Sequence, residues 1–429
     1  MKKIVSQDRD ILRSLGERIA EIAALPQQDS IKGQQDSTKE MWRKLNSLDM
    51  DKPMVMIYQI PWGEMDYNGE LALRCAGPYW RTVEEGLRRR IYQWEHMRAD
   101  MVMEPVVCVE PVLEGDDYGL TIEEQLIDAF PDSGIQSHHY IAQIKDETDI
   151  EKIRIPQISC DEAKTEETVK TIGDIFDGVL SVESGVPFTR YNIAPWDRLV
   201  QWTGVTEILT DLALRPDFVH RLMERLMQVF EARLDQYEKM NLLKLNNRAE
   251  IIGQGGYGYT DELPGTEYDS RNLRCSNLWG GGMAQIFSEV SPQMHEEFAL
   301  DYESRCLNRF GLVYYGCCEP LHHKVDLVRR KIPRLRKISM SPKADVRKGA
   351  EVVGDSLVYS CKPNPAFLAT DRWDPGAVRA DLKRKLDITT ANGCNVEIIL
   401  KDISTVRHEP QRLWEWASVV SELSAEYGN

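Results

Sequence analysis

Two thiols, a carboxylate and two imidazoles fall within seven residues in Cys317-Cys318-Glu319-Pro320-Leu321-His322-His323. The run leaves an apolar stretch of strand length and enters a helical pattern near Val325. Thiolates joined by imidazole or carboxylate suit Zn²⁺, and three protein ligands leave one position for a substrate. The plainer reading makes Cys317 and Cys318 small packing residues and puts His322 and His323 in an exposed first turn. Cys361 ends a second apolar stretch, where Pro363 and Pro365 stop the strand. A lone buried thiol would be its ordinary state. Glu289 closes the stretch 284–290 and offers an oxygen, unless it is a solvated edge carboxylate. The expected ligand set is Glu289, Cys317, Cys318 and Cys361.

Aromatic residues gather at the ends of the expected strands: Trp62 after Ile60-Pro61, Tyr191 before Pro195-Trp196, and Trp279 before three glycines. A pocket lined this way would hold a flat or methylated ligand by stacking or cation–π contact, although most such residues simply fill cores. Gly253-Gln254-Gly255-Gly256-Tyr257-Gly258 spells G-x-G-x-x-G. That fingerprint needs a helix opening at the glycines, and here Tyr259 to Gly265 reads as a loop. The segment is expected to be a flexible loop over the pocket, with Tyr257 and Tyr259 as walls. Between Lys324 and Lys348 the basic residues Arg329, Arg330, Lys331, Arg334, Arg336, Lys337, Lys343, Arg347 and Lys348 form a run. It is a solvated surface or a docking face for an acidic partner.

Positioning these groups requires alternating strands and helices. Strands are expected at 54–59, 101–109, 179–183, 250–253, 284–290, 312–317, 337–340, 356–361 and 395–400. Helices are expected at 83–96, 162–177, 217–240, 292–310, 325–331, 375–391 and 410–426, each with an apolar stripe. Asp345 and Asp374 read as N-caps. Such alternation implies βαβ units and a parallel sheet. The fold class expected is α/β, a (β/α)8 TIM barrel over 51–429 with an N-terminal helical extension over 1–50. That extension carries an amphipathic helix at 7–25 and a polar linker from Gln27 to Thr38.

The chain's 429 residues are 42% hydrophobic and 28% charged, ordinary globular usage. No apolar run approaches the roughly 18 residues of a membrane span. The net charge of −16 opposes polyanion binding, so no nucleic acid is expected as a partner. The first residues lack the apolar core of a signal peptide, and nine dispersed cysteines do not make a secreted disulfide framework. A cytoplasmic location with reduced thiols is expected.

On Gly185-Val186-Pro187-Phe188-Thr189, the Trp279–Pro292 segment and Gly316-Cys317-Cys318-Glu319-Pro320 before a helix, the chain resembles the uroporphyrinogen decarboxylase superfamily over about residues 40–425. That resemblance implies a (β/α)8 barrel. One branch decarboxylates a tetrapyrrole, and another comprises zinc-dependent methyltransferases that work with corrinoid proteins. The decarboxylases carry an Arg-rich segment after the first strand, whereas this chain reads Gln59-Ile60-Pro61-Trp62-Gly63-Glu64-Met65, and Glu64 would meet any carboxylated substrate. The methyltransferases often show His-x-Cys and a last-strand Cys, replaced here by Tyr315-Gly316-Cys317 and by Leu400-Lys401-Asp402.

The methyltransferase branch is the better match. It implies transfer of a methyl group from a methoxylated aromatic, or a methylated amine, to the cobalt of a corrinoid held by a cognate partner protein. Zinc would act as Lewis acid on the leaving oxygen. Tyr315 and Glu319 are then the expected proton-handling residues, and Trp62, Tyr191, Tyr257 and Trp279 the expected substrate walls. The basic run would dock the corrinoid protein, and a homodimer is compatible with the sequence. The alternatives are a decarboxylase of a carboxylated ring and a non-catalytic accessory barrel.

Overall fold

The computed structural model describes residues 4–25, 35–130, 135–266 and 268–428. Among the described residues eight strands have a parallel partner, in chain order β1 (Met54–Ile57), β2 (Val106–Val109), β3 (Ser181–Ser184), β4 (Trp279–Gly282), β5 (Leu312–Tyr315), β6 (Leu335–Met340), β7 (Val358–Cys361) and β8 (Asn395–Leu400). Six form one parallel sheet in the order β1-β8-β7-β6-β5-β4, while β2 and β3 pair separately. β1, β4, β5 and β7 are buried along their whole length, as a sheet covered on both faces requires.

The expected closed eight-stranded barrel is therefore only partly present, because the ladder is interrupted on both sides of the β2–β3 pair. Side chains and one buried segment fill these seams. Beside β1, the Asp100 amide donates to the Val55 carbonyl (3.1 Å) and its carboxylate accepts from the Val55 amide (2.7 Å). Between β3 and β4 runs the segment 242–258. The Val186 amide donates to the Leu242 carbonyl at 2.8 Å, and the Asn246 side chain takes both backbone groups of Trp279 at 2.9 and 3.0 Å.

That segment contains the glycine motif, which is neither an exposed loop nor a strand; one bridge joins Ile251 and Tyr257. A Cβ at Gly253 or Gly255 would collide with Tyr314, and one at Gly256 with Trp42. The glycines serve close packing here, not phosphate binding and not mobility over a pocket.

The expected helices are present with small shifts, including Pro78–Met97, Pro216–Lys239, Val325–Lys331 and Pro375–Ala391. Asp345 and Asp374 cap as expected. The helix expected at 292–310 is instead interrupted: Pro292–His295 passes through a wide π turn, Glu296–Leu300, into Asp301–Leu307. Eight residues of plain α-helix would leave His295 and Glu303 about 80° apart, and the wide turn absorbs about one residue. Both side chains then reach the Tyr315 hydroxyl (2.9 and 2.8 Å).

The strand expected at 284–290 is a 3-10 helix, Gln285–Glu289; the strand lies earlier, where Trp279-Gly280-Gly281-Gly282 shows no periodicity. An antiparallel pair, Glu124–Phe130 with Ile135–Tyr140, lies outside the expected strands.

Helix Ser6–Ala23 buries Leu12, Ile19 and Ile22 against Pro78–Met97 and Glu162–Phe176. Helix Gln35–Asn46 brings Trp42 and Leu45 to Met54 and Val358. Of the linker expected at Gln27–Thr38, residues 27–34 lie outside the described residues and 35–38 begin this helix. Among the described residues no helix is long and apolar enough to cross a membrane.

Candidate functional site

Strand alternation sends neighbouring residues to opposite faces of the sheet. One face meets the helices, as Tyr315 does. The other, inner face carries Tyr314 from β5, Lys337 and Ser339 from β6, Ser360 from β7 and Glu397 from β8. Lys362, just past β7, joins them. The interior of such a sheet is normally filled by branched apolar side chains, so charge here is a departure that burial makes costly.

Lys337 and Glu397 form an ion pair of 2.9 Å with both side chains fully buried. The rings of Trp42 and Trp279 stand 5.6 Å from the Lys337 ammonium. Lys362 donates to the Tyr314 hydroxyl (2.9 Å) and to Ser360 Oγ (2.6 Å) and has no carboxylate partner among the described residues. Burial pushes its amine down to about 7, against the pull of Glu397. Burial also pushes on Glu397, but Lys337 and Lys362 outweigh it and hold its carboxyl below the usual range. Among the described residues, the Tyr58 hydroxyl and Glu397 Oε1 are buried without a hydrogen-bond partner.

Above this layer lies the mouth at the C-terminal ends of the strands. Gly316 takes a φ of +101°, and a Cβ there would collide with Leu321. The chain thereby turns so that Cys317 Sγ lies 3.4 Å from Cys318 Sγ and 3.4 Å from Gln285 Oε1. Lys401 Nζ donates to Cys317 Sγ (3.3 Å) and to Asp402 Oδ2 (2.7 Å). Burial works against the Lys401 ammonium, but the thiols and Asp402 hold its pKa above the usual lysine value. The hydrogen bond between the thiols lowers the Cys318 pKa and raises that of Cys317, so Cys318 ionises first. Gln285 Nε2 donates to Asp197 Oδ2 (2.9 Å), whose carboxyl burial raises. Gln59 and Asp402 both adopt left-handed backbone, and the Asp402 amide donates to Gln59 Oε1 at 3.1 Å. Strain of this kind, held by surrounding bonds, concentrates at functional sites.

The structure redistributes the residues expected from sequence. Cys317 and Cys318 are at the mouth. Cys361 follows Ser360 on β7 and so faces the helices, where Lys385 acts on its thiol. Glu289 is exposed at the end of its 3-10 helix. Among the described residues no three Cys, His, Asp or Glu side chains gather as a metal site. With an ammonium against Cys317 as well, this donor set does not fit zinc.

Tyr315, expected as an acid, faces outward between His295 and Glu303. The Glu319 carboxylate accepts the Cys317 amide (2.9 Å) and the Ala284 amide (3.3 Å), and so positions the mouth loop. Trp62 packs edge-on against Tyr92 in helix Pro78–Met97. Tyr191, Tyr257 and Trp279 are buried, and the Trp279 indole donates to the Gly258 carbonyl. Nor does Glu64 meet a substrate: it accepts from the Val406 and His408 amides and the Thr405 hydroxyl, tying down the loop after β8.

The basic run does not form one face. Lys324 and Lys337 are buried, Arg330 and Lys331 pair with Glu296, and Arg334 and Arg336 flank the N-terminal end of β6. Lys343, Arg347 and Lys348 remain exposed beyond its C-terminal end.

No protein-family model matches the chain, and no curated protein matches it. Among solved structures, a methyltransferase from Methanosarcina mazei is similar over 90% of this chain and 98% of its own, with a TM-score of 0.48 and 12% identity.

Proposed function

We propose that this chain is a methyltransferase, moving a methyl group from the oxygen of a methoxylated aromatic, or the nitrogen of a methylated amine, to the cobalt of a corrinoid held by a partner protein. The observation that carries this reading is Lys401. Its ammonium is all but buried, is held charged by Asp402 and the thiols, and stands where the inner face opens to the mouth. The resemblance of the sequence to corrinoid-dependent methyltransferases supports the same reaction class.

The acceptor's cobalt supplies the electron pair of the new cobalt–carbon bond, and the pair of the broken carbon–oxygen or carbon–nitrogen bond stays on the heteroatom. The Lys401 ammonium hydrogen-bonds the leaving atom, which substitutes for a Lewis acid in stabilising the charge that develops. Gln285, fixed by Asp197, orients Cys317 beside the ammonium. No step passes through zinc.

The test is incubation with 4-methoxybenzoate or methylamines and reduced cobalamin, followed by methyl-cobalt absorbance. Lys401→Met should lower the rate by about 10²- to 10³-fold, the usual cost of removing a positioned acid or charge stabiliser. No transfer from any methoxyaromatic or methylamine removes the reading.

A partner must dock at the mouth, because the methyl group leaves there. Lys343, Arg347 and Lys348 flank it beyond β6, and opposite charge steers association at low salt. Reversing all three to Glu is expected to slow transfer to a corrinoid protein about tenfold or more at low ionic strength. Transfer to free cobalamin should be unchanged. Equal loss with both acceptors would place these residues in folding instead of docking.

A further inference from the structure

We infer that the inner face takes a small monoanionic ligand, a carboxylate, seated against Lys362, Tyr58 and Tyr314 beneath Lys401. Three lysines stand on the inner face or at its C-terminal edge. Lys337 is matched by Glu397 and Lys401 by Asp402, while among the described residues Lys362 bonds the hydroxyls of Tyr314 and Ser360 and no carboxylate. A buried ammonium without a counter-ion is disfavoured, and one negative charge from a ligand corrects that imbalance.

The second observation is independent of charge. The Tyr58 hydroxyl is buried without a hydrogen-bond partner among the described residues, and Tyr58 lies on the inner face, in step with Met54 and Met56, which pair with Glu397 and Ile399, while its amide donates to the Leu400 carbonyl. Buried hydroxyls are nearly always hydrogen-bonded, so an unpartnered one marks where a ligand oxygen supplies the bond. A carboxylate would accept from Lys362 and Tyr58 together, beside the Tyr314 ring. A cation would be repelled by the lysines, and a dianion would face Glu397 and Asp402 uncompensated. The ammonium lost to burial, with the Lys362 pKa near 7, would be restored when the anion binds.

This inference rests on the proposed reaction only in taking the inner face below the mouth as the substrate site, and it narrows the methyl donor to one bearing a carboxylate. Isothermal titration of the full chain would compare 4-methoxybenzoate with its neutral isostere 4-methoxybenzamide at pH 7. The carboxylate is expected to bind about 10- to 100-fold tighter, the scale of a charge-assisted bond. Lys362→Met should bind the two alike, and Tyr58→Phe should weaken the carboxylate alone. Equal binding by the wild type, binding of neither, or a preference that survives Lys362→Met overturns the inference. Methyl-cobalt absorbance in the same samples separates the two readings. Carboxylate preference without methyl release leaves this inference standing and removes the transferase, whereas methyl release from the amide without preference does the reverse.

Discussion

Lys362→Met is expected to make the protein more stable at neutral pH, by about 1–4 kcal/mol, the range seen when a buried charge gives way to a well-packed apolar side chain. The lysine amine titrates near 7 in the fold against 10.5 when free. Between those values the folded chain binds fewer protons than the unfolded one, so wild-type stability rises with pH across this window at up to ~1.4 kcal/mol per unit. The penalty is complete below pH 7 and gone above 10.5. Methionine removes the slope, so the gap between variant and wild type should shrink steadily from pH 7 to 10. The Tyr314 and Ser360 hydroxyls left behind already bond each other at 3.2 Å, which limits the cost of the change. Urea unfolding at pH 7 and at pH 9.5 checks this. A gap that does not change with pH would mean that Lys362 does not titrate in the fold. The same variant should lose about 10- to 100-fold in kcat/KM with an anionic methyl donor. A residue that lowers stability and raises activity is one the fold retains for its chemistry.

The sequence shows the alternating architecture plainly because its signal is hydrophobic period, and Val325–Lys331 and Pro375–Ala391 appear at their expected bounds. It fails where period is erased or interrupted. Trp279-Gly280-Gly281-Gly282 has too few side chains to alternate, and the π turn at Glu296–Leu300 changes the helical phase. Residue type alone marks Cys361 and Tyr315 as reactive, but parity along the strand decides which face a residue serves. Ser360 faces inward, hence Cys361 does not; Tyr314 faces inward, hence Tyr315 does not. The signal for the inner face was nevertheless present. Lys337, Lys362, Glu397 and Lys401 are charged positions in or beside otherwise apolar strands, and charges there are rarely buried without a function. Pairing was not legible, because Lys337 and Glu397 are 60 residues apart.

That pair underlies the second large effect. Glu397→Gln is expected to cost about 3–5 kcal/mol, because it leaves the Lys337 ammonium buried and uncompensated. Its remaining neighbours are the Tyr257 carbonyl at 3.4 Å and the faces of Trp42 and Trp279. Ring faces contribute about 0.5–2 kcal/mol to a cation, too little to replace a carboxylate in an interior of low dielectric. Removing both charges, as in Lys337→Met with Glu397→Gln, should recover most of the loss, and the double-mutant cycle isolates the coupling. The two partners should differ in their acid limbs. Glu397 titrates below the ordinary 4.5 in the fold, so its contribution is present above that pH and is lost as acid takes the medium through the lower folded value. Glu397→Gln should therefore flatten wild-type stability loss below pH 4.5. Trp42 links this pair to helix Gln35–Asn46, since its indole donates to the Asp100 carbonyl at 2.9 Å while its ring covers Lys337. The unpaired ammonium should therefore loosen that helix first, seen as faster amide exchange at 40–46 before β5 or β8 is affected. Unchanged stability in Glu397→Gln would show that Lys337 is neutral in the fold, and the charge balance drawn for the inner face would then fail with it.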